Sequence, residues 1–315
     1  MNDHPLAPYR PPPQRREAIR DAALAAGGEL VPYGQSVDGE TLEAVRVPCP
    51  TEGAPRVMCS ANIHGPEWIG CELALALLRA RGDEGSSAHA LGQRAELWVI
   101  PCLNPDGYRR TWELGGEGPL SSLRTNANGV DLNRNYPLPG GAKRRALPGA
   151  GSTTPGDATY AGTGPLSEPE TAAFDRLCAE QNFHASTNCH SFMGTLIPAR
   201  VTDRPCFGRY KALCRSFFDA QPQRRYRRLS ARIFDVFTGE QEDHQHHVHD
   251  TWAVCVETFP VLASYRQHFR SPSTFWRFNP HDPKPWVAND LPGLVAWLGA
   301  AIDTPRPSEL RSEAR

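Results

Sequence analysis

The sequence lacks the features that mark membrane proteins, secreted proteins and nucleic-acid-binding proteins. No apolar run among its 315 residues approaches the ~20 residues that a membrane-spanning helix requires. The N-terminal segment, MNDHPLAPYRPPPQRREAIR, holds no apolar stretch of the kind found in secretory signals. The formal net charge is −1, so the overall charge does not indicate binding to nucleic acid or to a membrane surface. We therefore expect no nucleic-acid partner and no membrane partner.

The cysteines also lack a pattern. There are nine of them, and they form neither CxxC pairs nor a regular framework. Several lie in apolar segments, as Cys59, Cys102 and Cys255 do. Buried free thiols in a reducing compartment explain this better than disulfides. Together with the missing signal, they predict a cytoplasmic protein.

The apolar pattern predicts one α/β domain. Hydrophobic residues make up 39% of the chain, enough for a sizeable core, and no repeat or linker divides it. A hairpin is expected around Asp38-Gly39, followed by buried strands that alternate with helices. We interpret residues 1–13 as a flexible proline-rich arm, residues 14–302 as the folded domain and residues 303–315 as a polar tail.

One strand-to-helix turn carries the first chemical signal. The apolar strand from Arg56 to Ile63 ends at His64-Gly-Pro-Glu67, and a helical pattern begins at Ile69. Ligands of open α/β sheets bind at the carboxyl ends of strands, and imidazole and carboxylate both suit zinc. A solvent-exposed His and Glu at the start of a helix is the alternative interpretation.

Two later strands end in polar groups as well. The strand from Phe183 to Cys189 is followed by His190, and Glu257 lies near the end of the strand from Trp252 to Phe259. Taken alone, His190 fits a core histidine and Glu257 fits a carboxylate paired with an arginine. The stretch from Tyr108 to Pro165 is rich in Gly, Asn, Pro and Arg, and so long an aperiodic stretch is usually functional.

Six motifs follow one another along the chain and include these residues. They are HGPE (64–67), NPDGY (104–108), RTNANGVDLNRNYP (124–137), GPLSEPET (164–171), NCHSF (188–192) and VET (256–258). In this order the set resembles the zinc metallocarboxypeptidases of the carboxypeptidase A type, over roughly residues 30–300. The resemblance implies a single catalytic domain, with a mixed, mostly eight-stranded twisted sheet and helices on both faces.

The resemblance assigns the catalytic residues. It implies that His64, Glu67 and His190 bind one zinc ion, which leaves a coordination position open for water. Glu257 would be the general base, taking a proton from the attacking water and returning it to the leaving amine. Arg124 would stabilise the oxyanion, a role in which one donor contributes roughly 3 kcal/mol.

It also assigns the residues that bind the substrate and support the metal. Arg134, with Asn133 beside it, would bind the terminal carboxylate of the substrate. Asp106 is the candidate that accepts the second N–H of a zinc-binding histidine. A turn aspartate that binds its own backbone is the alternative for Asp106.

Two departures from the family concern specificity. Many members place a mobile tyrosine before the base, whereas this chain has Asp235 nearest that position, and a carboxylate there would attract an amine. Glu242 falls where members line the pocket for the released residue, although Arg200 would approach the same region with the opposite charge. We expect a lysine, arginine or diaminopimelate-like side chain.

The tract from His244 to His249 holds four histidines. Such a tract can bind metal, but it more often forms a polar surface. Because it shortly precedes the proposed base, we expect one of its histidines to line the pocket.

The predicted function is zinc-dependent hydrolysis of the amide bond of a C-terminal residue. The first proposed ligand is already His64, which leaves no room for an inhibitory pro-segment, so we expect short peptides or peptide-like metabolites as substrates. A γ-D-glutamyl-diaminopimelate (murein peptide) amidase and an N-acyl amino acid deacylase are alternatives, and SEPET and NPDGY favour a peptidase over the deacylase. A catalytically silent metal-binding interaction protein is the further alternative, supported by the missing tyrosine.

Overall fold

One mixed sheet organises the computed structural model, which describes residues 4–145, 147, 149–228, 237–260, 271 and 273–313. The described strands number eight, in the spatial order β1-β2-β4-β3-β5-β8-β6-β7. They are β1 (Glu29–Gln35), β2 (Thr41–Val47), β3 (Arg56–Ala61), β4 (Glu96–Ile100), β5 (Ala185–Ser191), β6 (Thr195–Pro198), β7 (Arg227–Arg228) and β8 (Trp252–Thr258). The predicted fold class is thereby confirmed.

The four central strands are parallel, and their register positions the functional residues. β4, β3, β5 and β8 run in one direction, whereas β1, β2 and β6 pair antiparallel at the sides. Parallel strands are covered on both faces, which is why β3 and β4 read as nearly unbroken apolar runs. Ala61 pairs with Cys189, and His190 pairs with Glu257. The carboxyl ends of β3, β5 and β8 therefore meet at one edge.

Helices cover both faces of the sheet. They are α1 (Pro12–Ala25), α2 (Ile69–Gly82), α3 (Ser87–Gly92), α4 (Pro105–Glu113), α5 (Leu120–Arg124), α6 (Pro169–Gln181), α7 (Arg204–Ala220), α8 (Gln241–His249), α9 (Thr274–Phe278), α10 (Lys284–Ile302) and α11 (Pro307–Glu313). Along β3, Val57 and Cys59 face the core under α1, α2, α7 and α10, whereas Met58 faces the core under α6. None of the helices in the described ranges combines the length and apolarity needed to cross a membrane.

Both ends of the described chain pack against the domain, unlike the arm and the tail that the sequence suggests. Leu6 and Tyr9 are 0% and 2% exposed, and the Tyr9 hydroxyl donates to the Pro280 carbonyl at 3.0 Å. Near the other end, the Trp252 indole donates to the Pro305 carbonyl at 3.0 Å. The proline-rich sequences at the two ends do not indicate these contacts, because the apolar residues that make them are few and far apart in sequence.

Two of the six motifs begin helices. The NPDGY segment forms the start of α4, where Asn104 Oδ1 accepts from the Gly107 N–H at 2.9 Å and Pro105 occupies the first helical position. The SEPET segment forms the start of α6, where Glu168 occupies the N-cap position and the Ser167 hydroxyl donates to the Glu168 carboxylate at 2.8 Å.

Candidate metal centre and active site

Three buried side chains converge at the carboxyl edge of the sheet. His64 and Glu67 lie in the turn between β3 and α2, and His190 lies in β5. Glu67 Oε1 is 2.9 Å from His64 Nδ1, and Glu67 Oε2 is 3.0 Å from His190 Nδ1. One donor atom from each residue lies within 4.8 Å of the others. The structure therefore brings together the three predicted zinc ligands.

The donor chemistry of this group fits zinc. Two imidazoles and a carboxylate are a common ligand set of hydrolytic zinc sites. Burial opposes the charged form of Glu67, but His64 and His190 outweigh it and hold the pKa of Glu67 well below its usual range. Glu67 thus stays ionised, as a ligand must. The His190 Nε2 atom is buried with no hydrogen-bond partner in the part of the chain that the structure describes.

Asp131, a residue that the sequence reasoning missed, supports His64. Its Oδ1 lies 3.2 Å from His64 Nε2, and its Oδ2 accepts from Arg124 Nε at 2.8 Å. Burial would raise the pKa of Asp131, but the Arg124 guanidinium reverses this and holds the pKa well below its usual range. An ionised Asp131 favours the tautomer of His64 that leaves Nδ1 for a metal. The sequence held a signal for Asp131, since it lies in the same motif as Arg124 and Arg134, the two arginines to which the resemblance assigns roles.

Asp106, predicted for that supporting role, is elsewhere. Its Oδ1 accepts from the Ser36 hydroxyl at 2.9 Å, and its Oδ2 accepts from the Asp38 N–H at 3.1 Å. Helix α4 carries this carboxylate to the turn between β1 and β2. Asp106 therefore stabilises the hairpin.

Glu257 and Arg124 flank the proposed metal ligands. Glu257 is the register partner of His190 across β5 and β8, and Arg124 Nη1 is 3.9 Å from Glu67 Oε1. Burial raises the pKa of Glu257 to about 7, with Glu67 adding to the shift and His190 opposing it. The Glu257 Oε2 atom has no hydrogen-bond partner among the described residues. A carboxylate with such a pKa can take up and release a proton near neutral pH.

A cavity of about 350 Å³ opens over this group. Its apolar wall consists of Phe192, Met193, Ile197, Cys255 and Phe278. Its charged wall consists of Glu67, Glu240, Glu242, Glu257, Arg124 and Arg134, with His64, His190, Asn133 and Ser191 completing the lining. The cavity can take one side chain with both an apolar stem and a polar end.

Asn133 and Arg134 lie at the wall of the cavity in fixed positions. The Asn133 amide oxygen accepts from the Gln241 N–H at 2.9 Å, which directs the amide nitrogen away from that contact. Arg134 Nε donates to the Gly149 carbonyl at 2.9 Å, and its Nη1 donates to the Asn133 carbonyl at 2.6 Å. Arg134 Nη1 also lies 3.6 Å from Glu240 Oε1.

Of the three residues predicted to set specificity, only Glu242 is found at the cavity among the described residues. Glu242 lies on the cavity wall, where its Oε1 accepts from Asn188 Nδ2 at 2.8 Å and burial raises its pKa. Arg200 does not oppose it there as expected, because Arg200 Nη1 lies 2.6 Å from Glu240 Oε2 and 2.9 Å from Asp243 Oδ2. Two acids thus neutralise the Arg200 charge. Asp235 lies outside the described residues.

The histidine tract forms α8, and none of its four histidines lines the described cavity. The expectation that one of them would do so was wrong, because only the first turn of α8 reaches the cavity. His246 Nδ1 contacts the Tyr210 hydroxyl at 2.9 Å, and His247 Nε2 contacts the Arg200 carbonyl at 2.8 Å. His244 and His249 both point to Asp175 on α6.

Comparison with known proteins finds relatives that match part of this sequence. The sequence is 27% identical over 176 residues to a gamma-D-glutamyl-L-diamino acid endopeptidase of Lysinibacillus sphaericus, which covers 48% of this chain and 42% of that protein. It is 30% identical over 157 residues to a metallocarboxypeptidase A-like protein of Trichophyton verrucosum, covering 48% of this chain and 36% of that protein. The match thus spans less than half the length of each relative.

The fold has clear relatives among solved structures. Bovine thrombin-activatable fibrinolysis inhibitor, solved with a tick carboxypeptidase inhibitor, matches with a TM-score of 0.74 over 94% of this chain and 98% of that chain. At 18% identity, this likeness concerns the fold alone. The family described as zinc carboxypeptidase matches residues 28–254, well over half of the sequence. The chain therefore belongs to the zinc carboxypeptidase family.

Proposed function

We propose that this protein is a zinc-dependent metallocarboxypeptidase of the cytoplasm, which releases the C-terminal residue of short peptides or peptide-like metabolites. The observation that carries the proposal is the meeting of His64, Glu67 and His190 with Glu257 at one edge of the sheet. Family membership supports the same chemistry.

Each of the site residues would have a separate role in the reaction. Zinc bound by His64, Glu67 and His190 would supply a Lewis acid that polarises the scissile carbonyl and acidifies water. Glu257 takes the proton of the attacking water and passes it to the departing amine, for which a pKa of about 7 is well suited. Arg124, held by Asp131 at 2.8 Å, donates to the oxygen on which negative charge develops.

The cavity also contains groups for both ends of the released residue. Arg134 offers a guanidinium and Asn133 an amide N–H for the terminal carboxylate. Glu242 supplies the opposite charge, and no Arg or Lys forms an ion pair with it within the described ranges. A buried carboxylate without a cationic partner favours a substrate that brings its own cation. We therefore propose lysine, arginine or a diaminopimelate-like residue as the group released.

The second candidate function uses the same site to cleave a different amide bond. The relative from Lysinibacillus sphaericus is named for γ-D-glutamyl-L-diamino acid substrates, and a diamino acid combines an amine with a carboxylate. Glu242 and Arg134 offer complements to both groups. A γ-D-glutamyl-diaminopimelate amidase is thus the alternative that the charge pattern favours.

A turnover assay on one mixed pool distinguishes these functions. Zinc-loaded protein, chelated protein and Glu257→Gln are incubated with short peptides that end in different residues and with γ-linked murein peptides, and products are identified by mass spectrometry. Chelation-sensitive loss of one C-terminal residue from the α-linked peptides supports the carboxypeptidase. Cleavage confined to γ-linked peptides supports the amidase. Retained zinc without any cleavage would refute both enzymes and favour a metal-binding interaction protein.

A further inference from the structure

A second group of metal-binding side chains lies between α6 and α8. Asp175 Oδ1 is 2.6 Å from His244 Nε2 and 2.8 Å from His249 Nε2. One donor atom from each of the three residues lies within 4.8 Å of the others. We propose that Asp175, His244 and His249 bind a second divalent transition-metal ion, separate from the one at His64, Glu67 and His190.

The chemistry of this group suits such an ion. Two imidazoles and one carboxylate match the ligand preferences of zinc and of neighbouring divalent metals, with the remaining positions open to water. The Nε2 atoms of His244 and His249 both face the same oxygen, Oδ1 of Asp175, so the three donor groups already converge on one point.

The ion has a route to the site. His244 is buried, with a side chain that is 2% exposed, but the Asp175 side chain is 26% exposed. A metal can therefore arrive from solvent on the Asp175 side and replace the two contacts that now join the carboxylate to the rings. Such a site can exchange its ion with solvent through the Asp175 side chain.

The position of the group indicates what the ion would do. Helix α8 begins beside the cavity, which Glu242 lines, and His244 and His249 follow two and seven residues later on the same helix. The ring of Tyr136, two residues after Arg134, stacks on His244 at a centroid distance of 5.1 Å. A bound ion would fix α8 to α6 and so hold the wall that carries Glu242. Its role is structural, outside the reacting groups.

Metal stoichiometry tests the proposal directly. The intact protein is equilibrated with zinc, freed of excess ion by gel filtration and measured by elemental mass spectrometry. We expect two zinc ions per chain for the unchanged protein and one for His249→Gln. The matched control is His247→Gln, the same change two positions away on α8 and outside the triad, which should retain two. His190→Gln should lose the other ion and keep this one.

A spectroscopic experiment covers the case in which a variant fails to fold. Unchanged protein that already holds one zinc ion is titrated with Co²⁺, and the d–d absorption of the bound cobalt is recorded. An added cobalt band with an equivalence of one per chain, removed in Asp175→Asn, supports the site. One zinc ion per chain in both the unchanged protein and His249→Gln, with no cobalt band, would overturn it. These outcomes are independent of catalytic activity.

Discussion

Replacing Glu242 by glutamine tests the proposed specificity most sharply. Glu242 is 3% exposed on the cavity wall, and its carboxylate accepts from Asn188. Glutamine has nearly the same shape, and its amide oxygen can accept the same hydrogen bond. Because Arg200 is neutralised by Glu240 and Asp243, the change removes charge without freeing a cation beside the cavity.

The size of the effect follows from the charged hydrogen bond that is lost. Hydrogen bonds to charged groups contribute roughly 1.5–3 kcal/mol, and each ~1.4 kcal/mol is a factor of ten. We therefore expect kcat/KM for lysine-ended peptides to fall roughly 10- to 150-fold in Glu242→Gln. Because burial raises the pKa of Glu242, ionising this side chain costs free energy. We therefore expect the fall in kcat/KM to lie near the lower end of this range.

The assay compares peptides that differ only in their last residue. Lysine and norleucine share an aliphatic stem, but only lysine carries the amine, so their ratio isolates the contribution of charge. The expected result is a selective loss on lysine, with norleucine changed less than about threefold. Glu180→Gln, the same substitution at an exposed position of α6, is the control. An equal loss on both peptides, or no loss on either, would falsify the assignment of Glu242 to the pocket.

Three further substitutions test the other roles. Glu257→Gln should retain zinc while kcat falls by roughly 10²–10⁴, because the group that transfers the proton is gone; full turnover would exclude Glu257 as the base. Arg134→Ala should reduce kcat/KM much more for peptides with a free C-terminus than for amidated ones, and an equal reduction would remove its role as carboxylate ligand. Asp131→Asn should weaken zinc binding by roughly 10–100-fold in competition with a chelator, because His64 loses the acceptor that orients it; unchanged affinity would contradict this.

The sequence predicts the centre of the fold well because the relevant signals are local and repeated. Buried strands appear as short apolar runs, and the three strands that lead to His64, His190 and Glu257 (β3, β5 and β8) run parallel to one another. The rule that ligands bind at strand ends then brings His64, His190 and Glu257 together. The resemblance to a known family adds Arg124 and Arg134, which composition and periodicity alone do not distinguish from surface charges.

The failures concern side chains whose partners are distant in sequence. Asp106 and Asp131 both follow turn-forming residues, and only the path of α4 decides which of them reaches a histidine. Arg200 meets Glu240 and Asp243 some 40 positions later, a pairing that no local pattern signals. The contacts of Asp175 with α8 belong to the same class, since they depend on how two helices pack.

The pairing of His190 with Glu257 across β5 and β8 has a consequence for how the proposed site can diverge. The spacing between the proposed metal ligand and the proposed base is set by a backbone ladder, at roughly 4.8 Å between adjacent strands. Side chains on β5 and β8 can be substituted without changing that spacing. By contrast, α8 and its neighbours contribute Glu240 and Glu242 from outside the parallel centre. Substrate choice and reaction geometry are therefore separable, and the preferred residue can be redesigned while the chemical step is left in place.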